Sequence, residues 1–235
     1  MVGVAIAAPR PLPAQQQEVR ATITGESGRL PRLAISPFVV ADSQPSVRDT
    51  AKTIAEVLWK DLEFVPAYHM VDPSVASALA PVRAETLVYE DWAASGTDDV
   101  MVGSLKQNGG NLQIDVQVVS LATRKNLFAR RYTCPSQNLR LCAHTISDEL
   151  HKGRFGVDGV ARTKLAFASD RDAEEGAKEI YISDYDGERA SRVTMKGALN
   201  LGPAWAPDSR SFAYQSYQLG FADIFVQRLY DAKAP

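Results

Sequence analysis

The chain has 235 residues, of which 45% are hydrophobic and 23% charged, and a formal net charge of −2. That length holds one or two domains with a real core. The near-neutral charge excludes a broad electrostatic grip on nucleic acid or anionic lipid, and no apolar run approaches the ~20 residues that a transmembrane helix requires.

The opening stretch MVGVAIAAPRPLPAQQQ, residues 1–17, is a short apolar run followed by small residues, prolines and glutamines. It reads as part of a secretory signal with cleavage near Ala7 or Ala14, although no Lys or Arg precedes the run. An Ala/Pro-rich tail of a cytosolic protein is the competing reading. The next region, 18–156, alternates strands with helices. RLAISPFVV (Arg32 to Val40) is rich in β-formers and bounded by turn residues. SVRDTAKTIAEVLWKDL follows, with Ser46 and Asp49 spaced as a capping box and Val47, Ala51, Ile54, Leu58 and Leu62 at helical spacing. In FVPAYHMVDPS a strand passes into a short helix, with Asp72 as N-cap and Pro73 at the first helical position.

DVMVGSLKQNGGNLQIDVQVVSLATRKNLFARRYTC predicts three strands, joined at Asn108-Gly109-Gly110-Asn111 and at Ala122 to Asn126. SQNLRLCAHTISDELHKGRFG predicts a helix with Leu139, Cys142, Ile146 and Leu150 on one face and Gly153 as its stop. This order fits a small α/β domain with helices packed on a mixed sheet. From Lys164 helical spacing vanishes and a weak repeat begins. KLAFASDR (from Lys164) matches RSFAYQSY (from Arg210), and EIYISDYDG (from Glu179) matches DIFVQRLYD (from Asp223), at offsets of 46 and 44 residues. Such a period suits four-stranded units, and each match alternates apolar with polar residues, as a half-buried strand does.

The stretch PAWAPDSRSFAYQS, followed by ADIFV, resembles the repeat of TolB-type β-propellers, with Ala206 and Ser209 standing where that repeat usually has Ser and Gly. Pro207, Asp208, Ser216 and Asp223 carry the match. Upstream, RLPRLAISPF, VGSL, LATRKNLFARRYTCPSQNLRLCAHTISDEL and TKLAFASDR resemble the amino-terminal domain of the TolB family and its junction with the first blade. The resemblance runs from Glu18 to the last residues. It implies an α+β protein: an amino-terminal α/β domain over 18–156, then one to two partial blades over 157–235 of a propeller that has six blades in the family. The propeller is therefore expected to be incomplete here, in a fragment or a split gene.

For function the resemblance implies a periplasmic, non-catalytic component of the Tol–Pal envelope system, serving outer-membrane integrity and constriction at division. The implied partners are the carboxy-terminal domain of TolA and the lipoprotein Pal, the latter through propeller surface mostly outside this chain. The family's TolA-binding segment matches Glu18, Val19, Arg20, Ala21, Thr22 and Ile23. The alternation there also suits an added strand, and an edge strand of the chain's own domain is the other reading of the same residues.

The residues themselves carry no catalytic constellation. His69, His144 and His151 lack zinc-site spacing, so no metal or cofactor is expected. Gly25 to Gly28 is one residue short of a nucleophile elbow. Asp184 to Gly187 weakly echoes a calcium loop but lacks the later ligands, and a hairpin turn accounts for it. Asp98 and Asp99 read as a capped or solvated loop end. Cys134 and Cys142 are candidates for a disulfide in an exported protein or for two separately buried thiols. Two rival classes remain at this stage: the propeller-bearing part of a prolyl-oligopeptidase-like serine peptidase, and an RNA-binding α/β module, which the lack of a basic patch disfavours.

Overall fold

The computed structural model describes residues 29–41, 45–65, 67–79 and 82–229. The leader-like stretch 1–17, the arm Glu18 to Ile23 and Gly25 to Gly28 lie outside them. The first β-rich run is two strands, β1 (Arg32–Ile35) and β2 (Val39–Val40). Pro37, which has no N–H for a ladder, falls at the break. Helix α1 (Pro45–Phe64) takes Pro45 as its first residue, where the missing N–H costs nothing. Ser46 is therefore already helical, its carbonyl accepts from Thr50 Oγ1 at 2.9 Å, and the expected capping box with Asp49 does not form.

Strand β3 (His69–Met70) lies parallel to β1. The short helix α2 (Pro73–Ala78) is capped as its sequence demands: the Asp72 carboxylate accepts from Ser74 N at 2.8 Å and from Ser74 Oγ at 2.6 Å. One further helix, α3 (Tyr89–Ala94), was not foreseen. The three long strands β4 (Asp99–Asn108), β5 (Asn111–Ser120) and β6 (Asn126–Pro135) form an antiparallel meander. The sheet order is β3-β1-β4-β5-β6, with β2 parallel to β4 beyond the end of β1. A Cβ at Gly103 would come within 2.6 Å of the Phe38 ring, so glycine is what lets that ring cross β4.

Alternation on β5 sends Leu112, Ile114, Val116 and Val118 to one face. There they meet Ile54 and Leu58 of α1, and Ile146 and Leu150 of α4 (Leu139–Phe155). On the other face Val100, Val102 and Val119 pack against Trp92 and Leu87. Helix α4 ends at Gly156 rather than at Gly153. Gly156 adopts φ 73° and its N–H reaches Lys152 O, the left-handed cap that only glycine forms cheaply. Gly153 instead lies inside the helix with the Phe128 ring 3.4 Å from where its Cβ would be.

The chain then forms two three-stranded antiparallel sheets. The first holds β7 (Lys164–Ser169), β8 (Glu179–Asp184) and β9 (Ser191–Arg192). The second holds β10 (Asn200–Trp205), β11 (Ser211–Ser216) and β12 (Asp223–Arg228). The register repeats as the sequence does: Ser169 faces Glu179, and Ser216 faces Asp223. Ile180 and Ile182 of the first sheet pack with Phe212 and Tyr214 of the second. Phe212 and Tyr214 are thus well buried, while Leu165 and Ile224 stay exposed.

Candidate functional site

The most concentrated polar chemistry among the described residues lies where α1 and α4 meet the first small sheet. Asp61 falls on the apolar stripe of α1, seven residues after Ile54 and three after Leu58, and is completely buried. A buried carboxylate must be hydrogen-bonded, and Asp61 takes partners from both neighbours. His144 Nδ1 of α4 lies 2.8 Å from its Oδ2, and Tyr185 Oη, from the turn after β8, donates to its Oδ1 at 2.7 Å. Burial first, then this bond to Asp61, pushes the Tyr185 hydroxyl far above the usual phenol range, so it remains a donor. Its ring stands edge-on to Phe64 and to His144 at 5.5 and 5.6 Å, a favourable geometry.

A second layer of charge closes the cluster. Asp184 is ion-paired with Lys164, with Arg189 at 2.7 Å and with Arg140 at 3.8 Å, while Arg140 also grips Asp186. Burial of Asp184 works against its ionisation, but the bonds from Arg189 and Lys164 outweigh it and hold the carboxyl below the usual range. The remaining ring nitrogen of His144, Nε2, has no hydrogen-bond partner and lies 3.9 Å from Asp184 Oδ2.

Asp61, His144 and Asp186 bring ligand-type atoms within 4.8 Å of one another. Three cations already answer Asp184 and Asp186, so the donor set suits an ion-pair cluster better than a divalent ion. With His144 only 2% exposed, a substrate cannot reach the ring as the site stands. What the arrangement does is join the helices to the strands. A second fastening supports it: Asp148 of α4 accepts from Ala161 N at 2.8 Å, from Arg162 N at 3.2 Å and from Arg162 Nε at 2.9 Å. Gly159 passes so close that a Cβ there would lie 2.2 Å from the Asp148 carboxylate.

The sequence-predicted residues fall elsewhere. Glu18 to Ile23 is outside the described residues. Cys134 of β6 and Cys142 of α4 are joined in a disulfide with Cα atoms 6.1 Å apart. Asp208 accepts from Arg210 N, Ser211 N and Ser211 Oγ at 2.8 to 3.0 Å, which hold its carboxyl below the usual range. It thereby shapes the turn after Pro207. Buried Ser216 accepts from Gln218 N, as Ser169 does from Arg171 N. Asp184 to Gly187 is a hairpin turn, with Gly187 N on Asp184 O. Asp98 and Asp99 are not alike: Asp98 pairs with Arg29, whereas Asp99 is buried beside Arg154, and burial raises its carboxyl above the usual range. The junction residues Asp61, His144 and Tyr185 were missed, although a charge on the apolar stripe of α1 was the signal for the first.

Residues 19–127 match the TolB amino-terminal domain. The likeness to TolB continues beyond it. The chain is 28% identical over 213 residues to the Tol-Pal system protein TolB of Hamiltonella defensa, covering 90% of this chain and 48% of that protein. It is 29% identical over 210 residues to the same-named protein of Nitrosococcus oceani, covering 88% and 47%. Among solved structures, TolB from Acinetobacter baumannii superposes with a TM-score of 0.69 at 23% identity, over 86% of this chain and 48% of that one. This last likeness supports a TolB-like fold. The chain spans about half the length of the curated relatives it matches.

Proposed function

We propose that this chain is a periplasmic, non-catalytic component of a Tol–Pal envelope system that works through protein–protein contacts. The observation that carries the proposal is the match to proteins named Tol-Pal system protein TolB along about nine-tenths of the chain. The burial of Asp61 and His144 agrees with a non-enzymatic role. In this reading residues 18–156 are the α/β domain, and 157–235 are one to two blades of a β-propeller. The repeated register and the stacking of the two small sheets support that division.

The arm Glu18 to Ile23 is the contact for the carboxy-terminal domain of TolA, and Pal is met through propeller surface. Together these contacts serve outer-membrane integrity and constriction during division. The test is calorimetry with the carboxy-terminal domain of the cognate TolA. Removal of residues 18–23 should abolish binding with the circular dichroism unchanged, and equal affinity with and without the arm refutes the assignment. Recovery of the native product by osmotic shock, beginning between about Ala8 and Glu18, checks the compartment; retention of Met1 in the cytosol refutes it.

A further inference from the structure

An open groove of about 690 Å³ lies at the end of the large sheet, between α1 and α2. That volume is in the range of sites that hold a specific ligand, about 300–1,000 Å³. Four consecutive residues, Pro37, Phe38, Val39 and Val40, line it. Of these, Val39 and Val40 form β2; successive side chains on a strand point to opposite faces, so two neighbours border the same groove where that short strand presents its edge. Strand β2 pairs with β4 on one side and, among the described residues, with no strand on the other. In its parallel register Val39 sits opposite Ser104, and Ala41 N reaches Leu105 O. The alternate N–H and C=O groups, those of Val40, therefore face away from β4.

The walls fix the chemistry of what would lie against this edge. Ala51, Ala55 and Trp59 come from one face of α1, and the Trp59 indole is anchored by donating to Val71 O at 2.8 Å. On the same helix the rim carries Arg48 and, one turn on, Lys52. Lys52 has a loose, exposed pairing with Glu56 at 3.8 Å, leaving Arg48 as the positive end of the rim. We infer that this groove is a docking site for an extended segment of a partner protein that adds as a strand to β2. Its alternate residues would be apolar and at least one acidic residue would face Arg48. A free edge gives affinity through main-chain bonds, and the pockets beside it give specificity. This inference stands apart from the arm of residues 18–23 and does not depend on it.

The experiment is selection of phage-displayed random twelve-residue peptides on the full chain, followed by titration of the enriched peptides as free synthetic peptides. The expected result is a class with alternating apolar residues and an acidic one, whose binding moves the amide resonances of Phe38 to Ala41. Val40→Pro removes an outward-facing N–H without touching the ladder to β4, and should weaken binding at least tenfold. Arg48→Glu, on an exposed position, should do the same with unchanged circular dichroism, which keeps the test valid if the proline variant misfolds. No enriched class overturns the inference. So do peptides that perturb resonances elsewhere, or that bind Arg48→Glu as tightly as the parent, as a merely greasy surface would.

Discussion

Tyr185→Phe isolates one bond of the junction. Phenylalanine keeps the ring and its edge contacts with Phe64 and His144 at 5.5 and 5.6 Å. Only the hydroxyl that donates to Asp61 Oδ1 at 2.7 Å is lost. Asp61 is wholly buried, so no water replaces that donor. Hydrogen bonds to charged groups contribute about 1.5–3 kcal/mol, which sets the expected loss at about 2 kcal/mol, or roughly a 30-fold change in the unfolding constant. Urea unfolding followed by circular dichroism measures it. Asp61→Asn removes the charge that makes the bond strong, so in the double variant the Tyr185→Phe step should cost at least about 1 kcal/mol less. Hydrogen exchange supplies the local readout: amides of Ile180 to Ser183 should lose protection relative to Ile114 to Val118. A change of less than about 0.5 kcal/mol for Tyr185→Phe, or no coupling in the cycle, would refute the view that this bond fastens the strands to the helices.

Breaking the Cys134–Cys142 bridge by the double serine substitution should cost about 2–3 kcal/mol, since the loop of eight residues is short and the entropic gain grows with loop length; reduced and oxidised parent protein should bracket the same difference in urea. Ser209 adopts φ 54° in an exposed turn, so Ser209→Gly should stabilise the chain by about 0.5–1 kcal/mol, measured as a higher melting temperature. Burial lowers the His151 pKa against the weaker pull of Asp148, so the folded state resists the proton that the unfolded chain accepts. Stability should therefore fall as the pH drops from about 6.5 toward the depressed folded value, and His151→Gln should flatten that slope in denaturant titrations at several pH values.

Much of the architecture was legible because it is written in local rules. The stripe of α1, the Asp72–Pro73 start of α2 and the Asn108–Asn111 turn each follow from a few neighbouring residues, and the repeated strands alternate regularly enough for the two copies to be matched with each other. Where the reading failed, the deciding feature lay further along the chain or across the fold. Gly153 looked like a helix stop, but the helix runs on to Phe155 and takes its left-handed cap at Gly156. Helix α3 has six residues, too few for a period to show, and exists because Trp92 covers the sheet. The junction was less legible still. Asp61, His144 and Tyr185 are 83 and 41 residues apart in sequence, and nothing local says that they meet. Only Asp61, a charge in an apolar stripe, marked its own burial.

The two hairpins hold equivalent acids in unequal surroundings. Glu179, opposite Ser169, is buried, bonded to Thr194 Oγ1 and accepting from Lys196 N and Gly197 N at 2.9 Å and from Asn200 Nδ2 at 3.0 Å. Asp223, opposite Ser216, is exposed. The first acid thus acts as a ruler for chain length: four groups between residues 194 and 200 must arrive at one carboxylate, and they deliver β10 to its place against β8. Deleting a single residue there would misalign all of them and detach the second sheet from the first. The loop 217–222 answers to no such ruler, so the same deletion there should leave the stacking intact. Tolerance to insertion and deletion along this half of the chain would then follow where the carboxylates are engaged, not where the loops are long.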